Sequence, residues 1–193
     1  MRASPPFTVT GLVLAGGRGS RLGGTDKGWL DYRGSPLIRL AIERLQPQVD
    51  EVLISANRNL ARYRALGAAV VVDDPAHGDF AGPLAGFLAG LRAAHCPWLA
   101  VVPCDAPAAP RDIVLRLKHG TDNGSPAAVA YADGCIQPLF CLLHHELLSS
   151  LQVFLDSGEH KVARWLEQVG AVSVPFDDPR GFTNVNTPAD LPA

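Results

Sequence analysis

Three cations stand among six glycines in the segment LAGGRGSRLGGTDKG, which covers residues 14–28. A guanidinium such as that of Arg21 can bind two phosphate oxygens at once, and the ammonium of Lys27 is a compact point charge. Gly16 and Gly17 lack a Cβ, which lets backbone N–H groups approach an anion closely. The segment predicts a phosphate-binding loop, and the alternative is a flexible surface turn with solvated cations.

Two familiar phosphate loops do not fit this segment. A P-loop needs lysine directly after glycine and before Ser or Thr, whereas Lys27 follows Asp26 and precedes Gly28. The dinucleotide fingerprint G-x-G-x-x-G breaks at Leu22, and Asp31 comes too early to be its ribose-binding acid. A triphosphate bound by main-chain N–H groups and cations remains the best ligand.

Carboxylates follow two apolar runs of strand length. Asp105 follows WLAVVPC, and Asp73 and Asp74 follow AVVV. The carboxyl ends of parallel strands bind ligands in open α/β sheets, and a hard oxygen donor there suits Mg²⁺ shared with nucleotide phosphates. Asp105 is therefore the candidate metal ligand. The alternative for each aspartate is an N-cap or a turn residue.

Apolar runs of strand length alternate with segments of helical period, which predicts an α/β fold. Several runs are apolar at successive positions, as strands covered by helices on both faces should be. We expect one domain over residues 1–193, with three layers, right-handed crossovers and a mostly parallel sheet that carries an antiparallel edge strand at 136–143. The other predicted strands are 9–15, 51–55, 69–72, 98–102, 127–130 and 171–176, and the predicted helices are 36–45, 83–94, 110–118, 147–155 and 162–169.

Composition excludes several classes of protein. Hydrophobic residues make up 47% and charged residues 19%, which excludes a disordered chain, and a net charge of −2 gives no general attraction to nucleic acid or an anionic membrane. No apolar run approaches the ~18 residues of a membrane span, and no signal peptide is recognisable. Four cysteines without zinc-site spacing indicate buried free thiols. A cytoplasmic protein is expected.

Four stretches, in order, carry a family resemblance: LAGGRGSRLGGTDKG, then GPLAG at 82–86, PCDAP at 103–107 and NVNTPADL at 184–191. Together they resemble the nucleotidyltransferases of the NTP-transferase fold, and most closely their molybdenum cofactor guanylyltransferase family. The resemblance implies a Rossmann-like α/β/α fold. It also implies transfer of GMP from GTP to molybdopterin, with Mg²⁺ or Mn²⁺ as cofactor and a molybdoenzyme or another cofactor-biosynthesis protein as partner.

The resemblance also assigns residues. Arg21, Lys27 and Asp105 would be catalytic, with Asp105 on the metal, and Asn184 and Asn186 would lie on the pterin side. The nucleotide-binding set would be Leu14, Ala15, Gly16, Gly17, Lys27, Ser55, Asp73, Asp74, Gly82 and Asp105.

Two features of the chain keep alternatives open. Ser55 stands where the family has a nucleotide-contacting asparagine, and either Asp73 or Asp74 could contact the base, with Asp74 preferred. The alternatives are a cytidylyltransferase acting on molybdopterin or on a sugar or alditol phosphate, and a non-catalytic nucleotide-binding protein on the same fold.

Overall fold

The computed structural model describes residues 7–15, 26–77 and 82–185 of the 193-residue chain. Its β-strands are β1 (Val9–Leu14), β2 (Asp31–Tyr32), β3 (Ser35–Pro36), β4 (Glu51–Ser55), β5 (Ala69–Val71), β6 (Trp98–Pro103), β7 (Ala127–Ala132), β8 (Cys135–His144) and β9 (Val172–Pro175). Its α-helices are α1 (Leu37–Leu45), α2 (Leu60–Arg64), α3 (Pro83–Ala93), α4 (Ile113–Thr121), α5 (Leu148–Asp156) and α6 (Val162–Gln168).

Seven of these strands form one mixed sheet in the order β5-β4-β1-β6-β8-β7-β9. The pairs β5–β4, β4–β1, β1–β6 and β7–β9 are parallel, and β8 is antiparallel to both of its neighbours. The predicted α/β class and the mostly parallel sheet are therefore confirmed. The short strands β2 and β3 form a separate antiparallel hairpin.

The predicted position of the antiparallel strand is wrong, because β8 lies inside the sheet between β6 and β7. Pro138 is tolerated there because the pairing with β7 shifts register, from Val129 opposite Cys141 to Ala130 opposite Gln137. The strand residues near Pro138 are left out of that ladder, so the missing N–H breaks no pairing with β7.

Helices cover both faces of the sheet. Side chains of α1 and α4, such as Ile38 and Leu117, join one buried cluster, whereas Phe87 of α3 and Trp165 of α6 join a second. Neighbouring residues of β1 contribute to opposite clusters, as the alternation of strand side chains requires. This arrangement confirms the predicted three layers.

Several boundaries and surface features differ from the predictions. Helix α4 begins at Ile113, not at residue 110, because Asp112 still has non-helical backbone angles. Helix α2 and the β2–β3 hairpin were not predicted. Cys104 and Cys141 are buried thiols, but Cys135 is exposed and Cys96 is half-buried, so the expectation of four buried thiols is wrong.

Within the described ranges, no helix has the length and apolar character needed to cross a bilayer.

Candidate active site at the carboxyl edge of the sheet

The candidate site lies where the strand order reverses. The chain runs outward from β1 to β4 and β5, and then returns to place β6 on the other side of β1. Crevices at such switch points, beyond the carboxyl ends of the strands, are the usual ligand sites of open α/β sheets. Backbone bonds fasten these ends together: Cys104 N donates to Leu14 O at 3.0 Å, and Ala15 N donates to Ser55 O at 2.8 Å.

Lys27 and Asp105 meet at this edge, although 78 residues separate them in the chain. Lys27 opens a 3₁₀ turn at Lys27–Trp29, and Asp105 lies two residues beyond β6. The Lys27 ammonium donates to Asp105 Oδ2, and the two side chains are only 21% and 14% exposed. The structure thus brings together the cation and the carboxylate that the sequence analysis assigned to one site.

The second oxygen of Asp105 is available for a ligand. Asp105 Oδ1 is buried and has no hydrogen-bond partner among the described residues, and the same holds for Asn184 Oδ1. Val185 N donates to Asp105 O at 2.8 Å, so the segment that carries Asn184 runs beside Asp105. A buried oxygen that accepts no hydrogen bond destabilises the folded protein. Such an oxygen is therefore expected where a ligand supplies the missing contact.

The described residues contain no group of three or more His, Cys, Asp or Glu side chains that could hold a metal ion. A magnesium ion does not require such a group, because it commonly binds one or two carboxylates together with substrate phosphates and water. The donor set around Asp105 is therefore compatible with a cation that arrives with a nucleotide.

Asp73 and Asp74 follow β5 but have different surroundings. Asn57 Nδ2 donates to Asp73 Oδ2 at 2.7 Å, and Asp73 N donates back to Asn57 Oδ1 at 2.9 Å, which places Asp73 beside the end of β4. Asp74 instead forms an ion pair of 2.9 Å with Arg92, in the last turn of α3. The side chain of Asp73 therefore stays at the carboxyl ends of the strands, whereas that of Asp74 turns toward α3.

Ser55 is 3% exposed and lies under α3. A Cβ on Gly86 would stand 2.7 Å from Ser55 Oγ, so the helix backbone passes very close to this hydroxyl. Gly82 is the N-cap of this helix, and its φ of 82° and ψ of −173° suit glycine alone. Ser55 therefore helps to position α3 at the carboxyl edge of the sheet. Its backbone oxygen accepts the hydrogen bond from Ala15 N.

Four residues of the predicted site lie outside the described residues: Gly16, Gly17, Arg21 and Asn186. Cys104 precedes Asp105 in the chain, but its surroundings exclude it as a nucleophile. Burial, together with the nearby charges of Asp105 and Asp26, raises the pKa of the Cys104 thiol far above its usual range. A thiol in that state is not a nucleophile at neutral pH.

The sequence analysis missed a buried network next to Lys27. The Asp26 carboxylate accepts hydrogen bonds from Tyr63 Oη at 2.7 Å and from Asn59 Nδ2 at 2.8 Å. The position of Asp26 directly before Lys27 was visible in the sequence. Nothing in the sequence pattern linked it to Tyr63, because that contact depends on how α2 packs.

Comparison with known proteins identifies the family. Residues 11–172 match a family model described as the MobA-like NTP transferase domain. A molybdenum cofactor guanylyltransferase from Acidovorax sp. (strain JS42) is 49% identical over 200 residues, covering 96% of this chain and 94% of the relative. Another, from Polynucleobacter asymbioticus, is 44% identical over 192 residues, covering 96% of this chain and 95% of the relative.

Solved structures share the fold. Molybdopterin-guanine dinucleotide biosynthesis protein A from Archaeoglobus fulgidus has a TM-score of 0.73 and 25% identity, and the match covers 94% of each chain. CMP:2-keto-3-deoxy-manno-octonic acid synthetase complexed with CTP has a TM-score of 0.71 and 16% identity, also over 94% of each chain, and so shows the fold alone. The chain therefore belongs to the molybdenum cofactor guanylyltransferase family and is a nucleotidyltransferase with a MobA-like NTP transferase domain.

Proposed function

We propose that this chain transfers GMP from GTP to molybdopterin and forms molybdopterin guanine dinucleotide and pyrophosphate. A phosphate oxygen of molybdopterin attacks the α-phosphorus of GTP, and the bond from that phosphorus to the bridging oxygen of the pyrophosphate breaks. The observation that carries the proposal is the meeting of Lys27 and Asp105 at the switch point of the sheet, in a chain 49% identical to a molybdenum cofactor guanylyltransferase.

The reaction needs no protein nucleophile, because the attacking group is already an anion. The work of the protein is to align two negative substrates and to stabilise the charge that develops on the leaving pyrophosphate. Lys27 is the described cation placed to do so, and we propose that Arg21 adds a second cation. Gly16 and Gly17 would admit the phosphates through their backbone N–H groups, beside Leu14 and Ala15.

We propose that Asp105 holds Mg²⁺, with Mn²⁺ as an alternative cation. Its buried Oδ1, which accepts no hydrogen bond from the described residues, supports this role, and Asn184 Oδ1 is a second oxygen ligand of the right chemistry. When bound, the cation would polarise the phosphate oxygens that face the attacking group. Asn184 and Asn186 would complete the side of the site that receives the pterin.

For the base, we propose Asp73 in preference to Asp74. Guanine presents N–H donors on its Watson–Crick edge, and a carboxylate next to Asn57 supplies both acceptors and an amide. The ion pair of Asp74 with Arg92 argues against the preference drawn from the sequence. Ser55 and Gly82 would act through the position of α3 at the edge of the nucleotide site.

We further propose that one domain over residues 1–193 carries this activity in the cytoplasm. The four cysteines are free thiols, which suits a reducing compartment. The protein partner that the chemistry implies is a molybdoenzyme or another protein of cofactor biosynthesis.

Thermal unfolding with GTP, CTP and ATP, each with and without MgCl₂, tests the substrate. A nucleotide at 100 times its Kd stabilises the native state by about 2.7 kcal/mol, which a melting curve detects easily. We expect GTP with Mg²⁺ to raise Tm most, and pyrophosphate to appear when molybdopterin is added. Asp105→Asn should lose the Mg²⁺-dependent part of the shift and the transfer. A larger shift with CTP would favour the cytidylyltransferase alternative and contradict the proposal.

A further inference from the structure

We infer that Asp26 is a positioning residue for Lys27, and that it fixes the backbone from which the Lys27 ammonium reaches Asp105. The inference rests on the proposed function in one respect, since it takes Lys27 to act on the phosphates. Asp26 is 6% exposed, so its carboxylate does not contact a ligand in the crevice and affects the site by positioning Lys27.

Both oxygens of Asp26 accept hydrogen bonds. Oδ1 accepts from Tyr63 Oη at 2.7 Å and from Gly28 N at 3.3 Å, and Oδ2 accepts from Asn59 Nδ2 at 2.8 Å. Arg58 Nε stands 3.9 Å from Oδ2 and balances the buried charge. Hydrogen bonds to an ionised acceptor are stronger than neutral ones, so these contacts tie residues 26–28 to the start of α2.

The geometry of Asn59 shows that the network is specific. Asn59 has φ 52° and ψ 31°, a left-handed conformation that asparagine adopts more readily than most residues with a side chain. It stands at the N-cap of α2 but makes no side-chain capping bond there, and its amide points to Asp26 instead. A side-chain amide that donates to a buried carboxylate and not to its own helix indicates a fixed local structure.

Close packing leaves the Lys27 turn little room to shift. Tyr63 is fully buried, and a Cβ on Gly28 would stand 2.5 Å from Tyr63 Oη. Trp29, which ends the same 3₁₀ turn, packs on Tyr63 with ring centroids 5.1 Å apart. The guanidinium of Arg62 lies 3.8 Å from the centroid of the Trp29 ring and covers it. Lys27 therefore projects from a rigid turn whose anchor is Asp26.

The test exchanges the hydrogen-bond donor and the acceptor between residues 26 and 59. Asp26→Asn keeps an acceptor for Tyr63 and Gly28 but turns an N–H₂ group toward the amide of Asn59. Asn59→Asp adds a second carboxylate beside Asp26. The double variant D26N/N59D restores one donor–acceptor pair in reverse and keeps the net charge of the wild type. Asp177→Asn, at an exposed position, is the control for loss of one negative charge.

Two readouts separate positioning from general stability. The first is the acylation rate of each lysine, followed by mass spectrometry, because the chain has only Lys27, Lys118 and Lys161 and the last two are internal controls. The second is kcat and KM for GTP, with Tm measured for each variant. We expect Asp26→Asn to raise Lys27 acylation several-fold with the two controls unchanged, to lower kcat by about 10²-fold with a smaller change in KM, and the double variant to recover both.

The possible results distinguish a failure of this inference from a failure of the proposed function. If Asp26→Asn is folded and leaves Lys27 acylation and kcat as in the wild type, the inference is overturned. If the wild type transfers no GMP, the proposed function fails, while the acylation pattern still decides whether Asp26 places Lys27. If Asp26→Asn does not fold, Tyr63→Phe removes a single hydrogen bond from the same carboxylate, and unchanged Lys27 acylation and kcat in that variant would overturn the inference as well.

Discussion

Replacement of Lys27 by methionine tests the ion pair at the centre of the site. Methionine keeps most of the aliphatic volume and removes the charge. An exposed ion pair contributes about 0–1 kcal/mol, whereas removal of one partner from a buried pair costs about 3–5 kcal/mol. Lys27 is 21% and Asp105 14% exposed, so the site lies between these limits. We expect Lys27→Met to lower the free energy of unfolding by about 2 kcal/mol, because the buried Asp105 carboxylate loses its cation and its Oδ1 has no donor in the part of the chain that the structure describes.

A double-mutant cycle isolates the pair. Urea unfolding of Lys27→Met, Asp105→Asn and the double variant should give a coupling free energy of about 1–2 kcal/mol, because the double variant no longer contains an unpaired charge. All three variants should lose at least about 10²-fold in turnover, since both charges act at the phosphates. A coupling close to zero would refute the ion pair, and normal turnover in Lys27→Met would refute its catalytic role.

Three further predictions concern other parts of the molecule. Gly86→Ala should lower the free energy of unfolding by about 1 kcal/mol, because overpacking against Ser55 outweighs the gain in helix propensity. Urea unfolding measures this difference. A variant as stable as the wild type would contradict the close contact. Iodoacetamide at pH 7 should modify the exposed Cys135 well before Cys104 and Cys141, because burial raises the pKa of the last two thiols. Peptide mapping follows the modification of each cysteine. If Cys104 reacted as fast as Cys135, the burial of Cys104 would be refuted. Burial would raise the pKa of Glu51, but hydrogen bonds from Thr10 and His95 outweigh it and lower that pKa. The stability difference between the wild type and Glu51→Gln should therefore be full at pH 6 and shrink once the pH falls below the ordinary Glu pKa of about 4.3. A difference that stays constant with pH would contradict this.

The strands that sequence patterns predicted well are those buried on both faces. The predicted strand 51–55 agrees with β4, and the start of β6 agrees at Trp98, because helices on both faces require apolar residues at successive positions. The position of β8 was harder to predict, since a single proline suggested an edge. Asp133-Gly134, with φ of 51° and 75°, forms the two-residue turn of the β7–β8 hairpin and was the signal that could have paired these strands.

The convergence of Lys27 and Asp105 followed from one general rule, that ligands bind at the carboxyl ends of parallel strands. The rule needs only the order of elements, which the sequence supplies. It says nothing about side chains that leave the strand ends for other partners, and so it could not separate Asp73, beside Asn57, from Asp74, which turns to Arg92. Tertiary packing of α3 makes that difference.

Hydrogen bonding distinguishes the two aspartates that flank Lys27, in sequence and in space. The sequence marks Asp105 as a ligand-binding acid by its place after a predicted strand, and it gives Asp26 no role. In the fold, Asp26 is 6% exposed and both of its oxygens accept hydrogen bonds, from its own turn and from residues 59 and 63. Asp105 has one oxygen on Lys27 and one without a donor among the described residues. The buried carboxylate with a hydrogen bond on each oxygen is therefore structural, and the carboxylate with one oxygen lacking a donor is open to a ligand.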